Sequence, residues 1–103
     1  MRAIHLVRLD KPRPAVLLTR EAALPAMNGI TVAPITSTIR GSRTEVPVGY
    51  DQGLDHASVV NLDAIITVPA DDVGRFIGYL TDPQDLALLQ ALLFAFDLRP
   101  PRA

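Results

Sequence analysis

Apolar and polar residues alternate along this chain in short runs, and those runs predict strands. Ala3 to Leu9 alternates weakly and reads as a first strand. Asp10-Lys11-Pro12-Arg13-Pro14 reads as a short basic loop, because its two prolines deny a sheet their donors. Ala15 to Thr19 is almost continuously apolar, as in a strand buried on both faces. Arg20 to Ala26 is ambiguous, with room for one helical turn before the turn dipeptide Asn28-Gly29. Ile30 to Ser37 predicts a third strand, Ile39 to Arg43 a polar connection, and Thr44 to Val48 a fourth strand. A loop over Gly49 to His56 precedes Ala57 to Asn61, Ile65 to Val68 and Val73 to Leu80, the last strand.

The period then changes. Asp82 is expected as N-cap, with Pro83 at the first helical position and acids in the first turn. Leu86, Leu89, Leu93 and Phe96 recur at helical spacing, Leu88, Leu92 and Phe94 widen the stripe, and the helix should end near Leu98, before Pro100-Pro101. The pattern predicts a mainly β chain with a C-terminal α-helix, its six to seven strands forming a small, strongly curved sheet or barrel. Almost no charge lies between Leu86 and Phe96. One helix face can pack on the sheet, and the remainder would be an exposed apolar patch of the kind that marks association. A homodimer is expected.

Composition adds bounds. The 103 residues fit one domain, residues 1–103, with a single modest core. No apolar run reaches the roughly 18 residues of a membrane span. Arg8, Asp10 and Lys11 interrupt any signal-peptide pattern. The absence of cysteine excludes a disulfide framework and thiol catalysis, and a cytoplasmic location is expected. A net charge of -1 hides a strong asymmetry. Residues 1–43 carry seven basic against two acidic side chains, residues 44–103 three against nine. That division suggests a localised anion site, although acids that merely solubilise the second half explain it as well.

Two segments carry candidate chemistry: Arg13-Pro14-Ala15-Val16-Leu17-Leu18-Thr19 and Val32-Ala33-Pro34-Ile35-Thr36-Ser37. If these strands pair, a permanent cation and a hydroxyl meet at one sheet edge, which suits a phosphodiester. Cleaving a phosphodiester by a neighbouring hydroxyl requires activating that hydroxyl, stabilising a dianionic phosphorane and protonating the leaving oxygen. Arg13 fits the second role, since guanidinium grips phosphate oxygens in a fork and is a poor base. Thr36 can donate to a non-bridging oxygen or relay a proton. On spacing alone, a surface arginine beside two prolines and an ordinary strand threonine account for both.

Further candidates surround this pair. Lys11, Arg40 and Arg43 are phosphate contacts or ordinary loop charges. Ser37 and Ser58 can donate to sugar or phosphate, or satisfy backbone. His56, just before Ser58, can approach the site, whereas His5 on the first strand reads as a packed, hydrogen-bonded imidazole. Two lone histidines and scattered carboxylates make no metal motif, so neither metal nor cofactor is expected.

The two segments resemble the MazF/PemK family of toxin endoribonucleases, which carry Arg-Pro-x-Leu-Val-Leu followed by a Pro-Ile-Thr-Ser strand end. Ile4-His5-Leu6-Val7-Arg8-Leu9 resembles that family's first strand and Ser58-Val59-Val60-Asn61-Leu62-Asp63 its central one. Ile65 to Val68 and Ile77-Gly78-Tyr79-Leu80 resemble the segments that follow, in order, over about nine-tenths of the chain. The resemblance implies an SH3-like barrel of the CcdB/MazF/PemK kind and a catalytic pair at Arg13 and Thr36. It also implies a ribosome-independent endoribonuclease toxin that cleaves single-stranded RNA to 2′,3′-cyclic phosphate and 5′-hydroxyl ends. The implied partner is a cognate MazE-like antitoxin whose acidic, flexible tail occupies the basic groove, with no membrane involved. The chain departs from the family at Arg2-Ala3, where Gly-Asp or Gly-Glu is usual, and at Ala64-Ile65-Ile66, where Gln-Ile-Arg is usual. The loop before Arg13 is short, and arginines common near Asp71-Asp72 are missing. Two rivals remain open: a non-enzymatic gyrase inhibitor resembling CcdB, and a cleavage-deficient binding module on the same fold.

Overall fold

The computed structural model describes residues 1–99. Seven strands and one helix follow in the order β1 (Ala3–Arg8), β2 (Pro12–Leu17), β3 (Gly29–Thr36), β4 (Glu45–Val48), β5 (Ser58–Asn61), β6 (Ile66–Pro69), β7 (Val73–Tyr79) and α1 (Asp82–Ala95). Short 3-10 turns occupy Glu21–Ala26, Tyr50–Gln52, Leu62–Ala64 and Ala70–Asp72. All the pairings are antiparallel, and the sheet curls through β4-β5-β3-β2-β1-β7, with β6 added beside β3.

The segment that reads as a loop, Asp10 to Pro14, is largely strand: β2 starts at Pro12, and Pro12 and Pro14 pair with Arg8 and Leu6. Hydrogen-bond direction explains how the prolines fit. Leu18 N–H donates to Thr31 O at 2.8 Å, so even-numbered residues of β2 turn their nitrogens toward β3. The prolines therefore face that side, beyond the terminal pair Ala15–Pro34, and remove nothing from the β1–β2 ladder. Pro34 is placed by the same logic. Its nitrogen faces away from β2, into the gap where β3 leaves β6 at Val32 and takes up β5 at Ile35.

Period-two alternation divides the core between two faces. Ile4, Val16, Ala33, Ile35, Val60 and Leu62 pack with Leu88 and Ala91 of α1. Val7, Ala15, Leu17, Ile30, Val32 and Val68 form the other cluster. Helix α1 begins one residue earlier than the acids suggest: Thr81 is the N-cap, its hydroxyl accepting from Gln84 N–H (3.2 Å) while Gln84 Oε1 accepts from Thr81 N–H (2.9 Å). It also ends earlier, at Ala95. Asp97 adopts a left-handed φ of 52°, Leu98 N–H donates to Leu93 O (2.8 Å), and Asp97 N–H to Phe94 O (3.1 Å). That is a Schellman closure, needing no help from the prolines, which lie outside the described residues. Leu86, Leu89, Phe94 and Phe96 stay exposed, as the uncharged stripe predicts.

Candidate active site

Ala15 opposes Pro34 in the β2–β3 ladder. The ladder ends at that pair; continued by two residues, its register would set Arg13 across from Thr36, on the sheet face turned away from α1. Both line one cleft of about 400 Å³, with Leu9, Asp10, Pro34, Thr38, Arg40, Glu45 and Asn61 on its walls. Ile35, Ala64 and Ile66 complete it, so two of the three residues standing where the resembled family carries Gln-Ile-Arg form an apolar wall here.

A residue the sequence reading missed governs the electrostatics. The tight turn between β1 and β2 brings Asp10 onto Arg13, whose Nε and Nη2 donate to Asp10 Oδ1 and Oδ2 at 2.8 and 3.0 Å. The hydrogen bonds from Arg13 hold the Asp10 carboxyl well below its usual range, at about 2, and Asp10 in turn pushes the Arg13 guanidinium up. The i,i+3 spacing of an acid and an arginine around a hairpin turn was the available signal. A phosphate entering the cleft meets an arginine already presenting its fork, with the carboxylate as the group it displaces.

Thr36 Oγ1 accepts a hydrogen bond from Thr38 N–H (3.1 Å), which leaves the hydroxyl proton free for a cleft ligand. The 40–43 loop is shaped by Glu45, whose carboxylate accepts from the N–H groups of Arg40, Gly41 and Ser42 at 2.9–3.3 Å. Gly41, with φ of +76°, permits the wrap.

The other candidates divide. Lys11, Ser37, His56 and Ser58 do not line this cleft but a second one, of about 230 Å³, which shares Arg13 and Ile35 with the first. Ser58 is buried, and its hydroxyl donates to His56 O (3.1 Å), the backbone alternative foreseen for it. Arg43 reaches neither cleft; its guanidinium sits 4.1 Å above the ring centroid of Phe94 on α1. Arg2 is likewise withdrawn from the basic half, bound to Asp85 and to the carbonyls of Leu17 and Leu18. His5 packs edge-on against Phe76, its Nδ1 2.9 Å from Gly74 O. Among the described residues, no group of three or more His, Asp or Glu could hold a metal ion.

Comparison with known proteins places the whole sequence and its fold. Residues 5–96 match the family described as PemK-like, MazF-like toxin of type II toxin–antitoxin system. The chain is 52% identical over 98 residues to Endoribonuclease MazF3 of Mycobacterium tuberculosis, covering 95% of each protein. It is 39% identical over 87 residues to the Probable endoribonuclease MazF5 of the same species, covering 82% of this chain and 79% of that one. The solved structure of M. tuberculosis toxin MazF-mt6 superposes with a TM-score of 0.93 at 51% identity, over 95% of this chain and 99% of that one. A mycobacterial endoribonuclease solved with its cognate antitoxin, 24% identical over 96% of this chain and 95% of that one, shares the fold at a TM-score of 0.83.

Proposed function

This chain belongs to the PemK-like, MazF-like toxins of type II toxin–antitoxin systems, and on that premise we propose that it is a sequence-selective, metal-independent, ribosome-independent endoribonuclease acting on single-stranded RNA. The observation that carries the reading is the pair Arg13 and Thr36, brought by two strands to one cleft with Asp10 between β1 and β2. Arg13 leaves Asp10 for the scissile phosphate and neutralises the charge that builds on its non-bridging oxygens. Thr36 donates a hydrogen bond from its hydroxyl to one of those oxygens. Asp10, released from the fork, takes the proton of the 2′-hydroxyl as that oxygen bonds to phosphorus. The P–O5′ bond breaks, the 5′-oxygen acquires a proton from solvent, and the ends are a 2′,3′-cyclic phosphate and a 5′-hydroxyl.

Lys11 and Arg40 extend the cationic track for neighbouring phosphates. The same cleft suits the acidic, flexible tail of a cognate antitoxin. The exposed Leu86, Leu89, Phe94 and Phe96 of α1 support a homodimer. Among the described residues no helix is long and apolar enough to cross a membrane, and we assign the chain to the cytoplasm.

The test is purified protein with total bacterial RNA in EDTA, followed by mapping of new 5′ ends, with Arg13→Ala and Thr36→Ala alongside. Discrete 5′-hydroxyl ends that vanish in both variants are expected. No cleavage by folded protein would refute the reading, and toxicity that survives Arg13→Ala would point instead to a CcdB-like gyrase inhibitor.

A further inference from the structure

We propose that the second cleft, across Arg13 from the first, is a reading pocket for one unstacked nucleobase, in which Asp55 selects a base bearing an exocyclic amino group. The inference deepens the endoribonuclease reading and rests on it for the identity of the polymer.

The end of β3 divides the two clefts. Thr36 turns to the first cleft and its neighbour Ser37 to the second, while Arg13 and Ile35 line both. A phosphate held by the Arg13 fork thus leaves its adjoining nucleotide at the mouth of the second cleft. Pro12, Pro14 and Leu54 give that cleft an apolar lining, and His56 offers an aromatic face on which a splayed base can stack.

Asp55 is the informative group. It lines the same cleft as Lys11 and Arg13, yet among the described residues it makes neither an ion pair nor a side-chain hydrogen bond. An ionised carboxylate accepts hydrogen bonds and donates none. Facing a polyanion it repels every phosphate, and the ligand group that reverses this is an N–H on a base edge. Carboxylates read cytosine through its N4 amino group in this way, and the exocyclic amines of adenine and guanine offer the same donor. Uracil presents a carbonyl oxygen where cytosine has its amine, and its one edge donor, N3–H, is flanked on both sides by carbonyl oxygens that the carboxylate repels.

A reading pocket must also be rigid. Gln52 Oε1 accepts from Gly49 N–H (2.9 Å), closing the turn that precedes Asp55. Gly53, at φ +87°, lies so near β7 that a Cβ there would meet Ile77 O at 2.8 Å. The Ser58 hydroxyl fixes the His56 carbonyl from the other side. The loop from Gly49 to His56 is therefore pinned at both ends.

The experiment is fluorescence anisotropy with uncleavable 2′-O-methyl oligonucleotides of cytidine, adenosine, guanosine and uridine, on the parent protein, Asp55→Asn and His56→Ala, together with cleavage-end mapping. At least one amino-bearing oligomer should bind the parent about tenfold or more tightly than oligo-uridine. Asp55→Asn, whose amide can donate as well as accept, should bring the ratio to within about threefold and admit uridine at one position beside the cut. His56→Ala should weaken all four while keeping their order. The proposal is overturned if the parent shows no preference, or if Asp55→Asn tightens all four equally, as simple removal of a negative charge would. Base-selective binding that Asp55→Asn relaxes, without any RNA cleavage, would retain the pocket and remove the nuclease. Cleavage whose base preference ignores Asp55→Asn would do the reverse.

Discussion

Replacing Gly78 by alanine should be among the most damaging single-methyl additions this chain can suffer. The new Cβ would lie 2.2 Å from the carbonyl oxygen of Gln52 and 2.9 Å from its carbonyl carbon. Ordinary contact requires β7 and the Tyr50–Gln52 turn to part by roughly 1 Å. Neither side yields easily. Gly78 is paired with Ile4 in the β1–β7 ladder, and Gln52 is buried with its amide oxygen closing the Gly49 turn. Overpacking relieved by side-chain shifts costs about 1–3 kcal/mol. Here the clash is backbone on both sides, so a loss near 3 kcal/mol is expected. In a chain of 103 residues each kcal/mol lowers Tm by about 4–8 °C, which gives a fall of about 12–24 °C in a circular-dichroism melt. Gly74→Ala is the internal control: its Cβ would meet Leu6 O at 3.0 Å, and it should cost about 1 kcal/mol. A Gly78→Ala protein that melts within about 2 °C of its parent would refute the reasoning.

Three other outcomes are expected. Asp10 has a folded pKa below its unfolded value, so the stabilisation from its pairing with Arg13 is present above 3.8 and lost as pH falls toward 2. Carboxyl-carbon NMR should show Asp10 titrating near 2 and returning toward 3.8 in Arg13→Ala, which places any acid limb of kcat/KM above about pH 4 on another group. Arg43→Ala should cost about 0.5–1 kcal/mol through its lost contact with Phe94 and leave KM for RNA within about twofold, whereas Arg40→Ala should raise KM and lower the salt slope of binding by about one; stopped-time cleavage at several ionic strengths separates them. Asp97→Gly relieves a left-handed residue at the helix C-terminus and should raise stability by about 1 kcal/mol, read by urea titration at unchanged m.

The strands were legible because alternation of apolar residues is a local property, and the same alternation carried Arg13 and Thr36 to one edge once β2 and β3 were taken to pair. The prolines at 12 and 14 misled because a missing donor harms a strand only when it faces a partner, and facing is decided by register, not composition. Thr81 and Gln84 stood in the sequence at capping-box spacing, yet Asp82 and Pro83 offered a louder signal one residue on. The Schellman closure depends on a left-handed aspartate, a conformation that side chains seldom adopt and composition does not announce. Arg43 over Phe94 joins residues far apart in the chain, and nothing local distinguishes it from the phosphate-facing cation it resembles. Asp10 was within reach: an acid three residues before the arginine, across a turn too short to hold them apart.

Pro34 has a consequence beyond its own position. Sliding β3 by two residues along its neighbours would preserve which side chains face the core, so burial alone penalises that error weakly. It would also carry the imide nitrogen out of the gap between β6 and β5 and set it against a strand carbonyl that then has no donor. The prolines of β2 act likewise if its pairing with β3 is drawn toward the hairpin turn. Three residues that donate no hydrogen bond to the ladders thereby forbid the shifted alignments, and the frame they leave is the one whose continuation sets Thr36 across from Arg13.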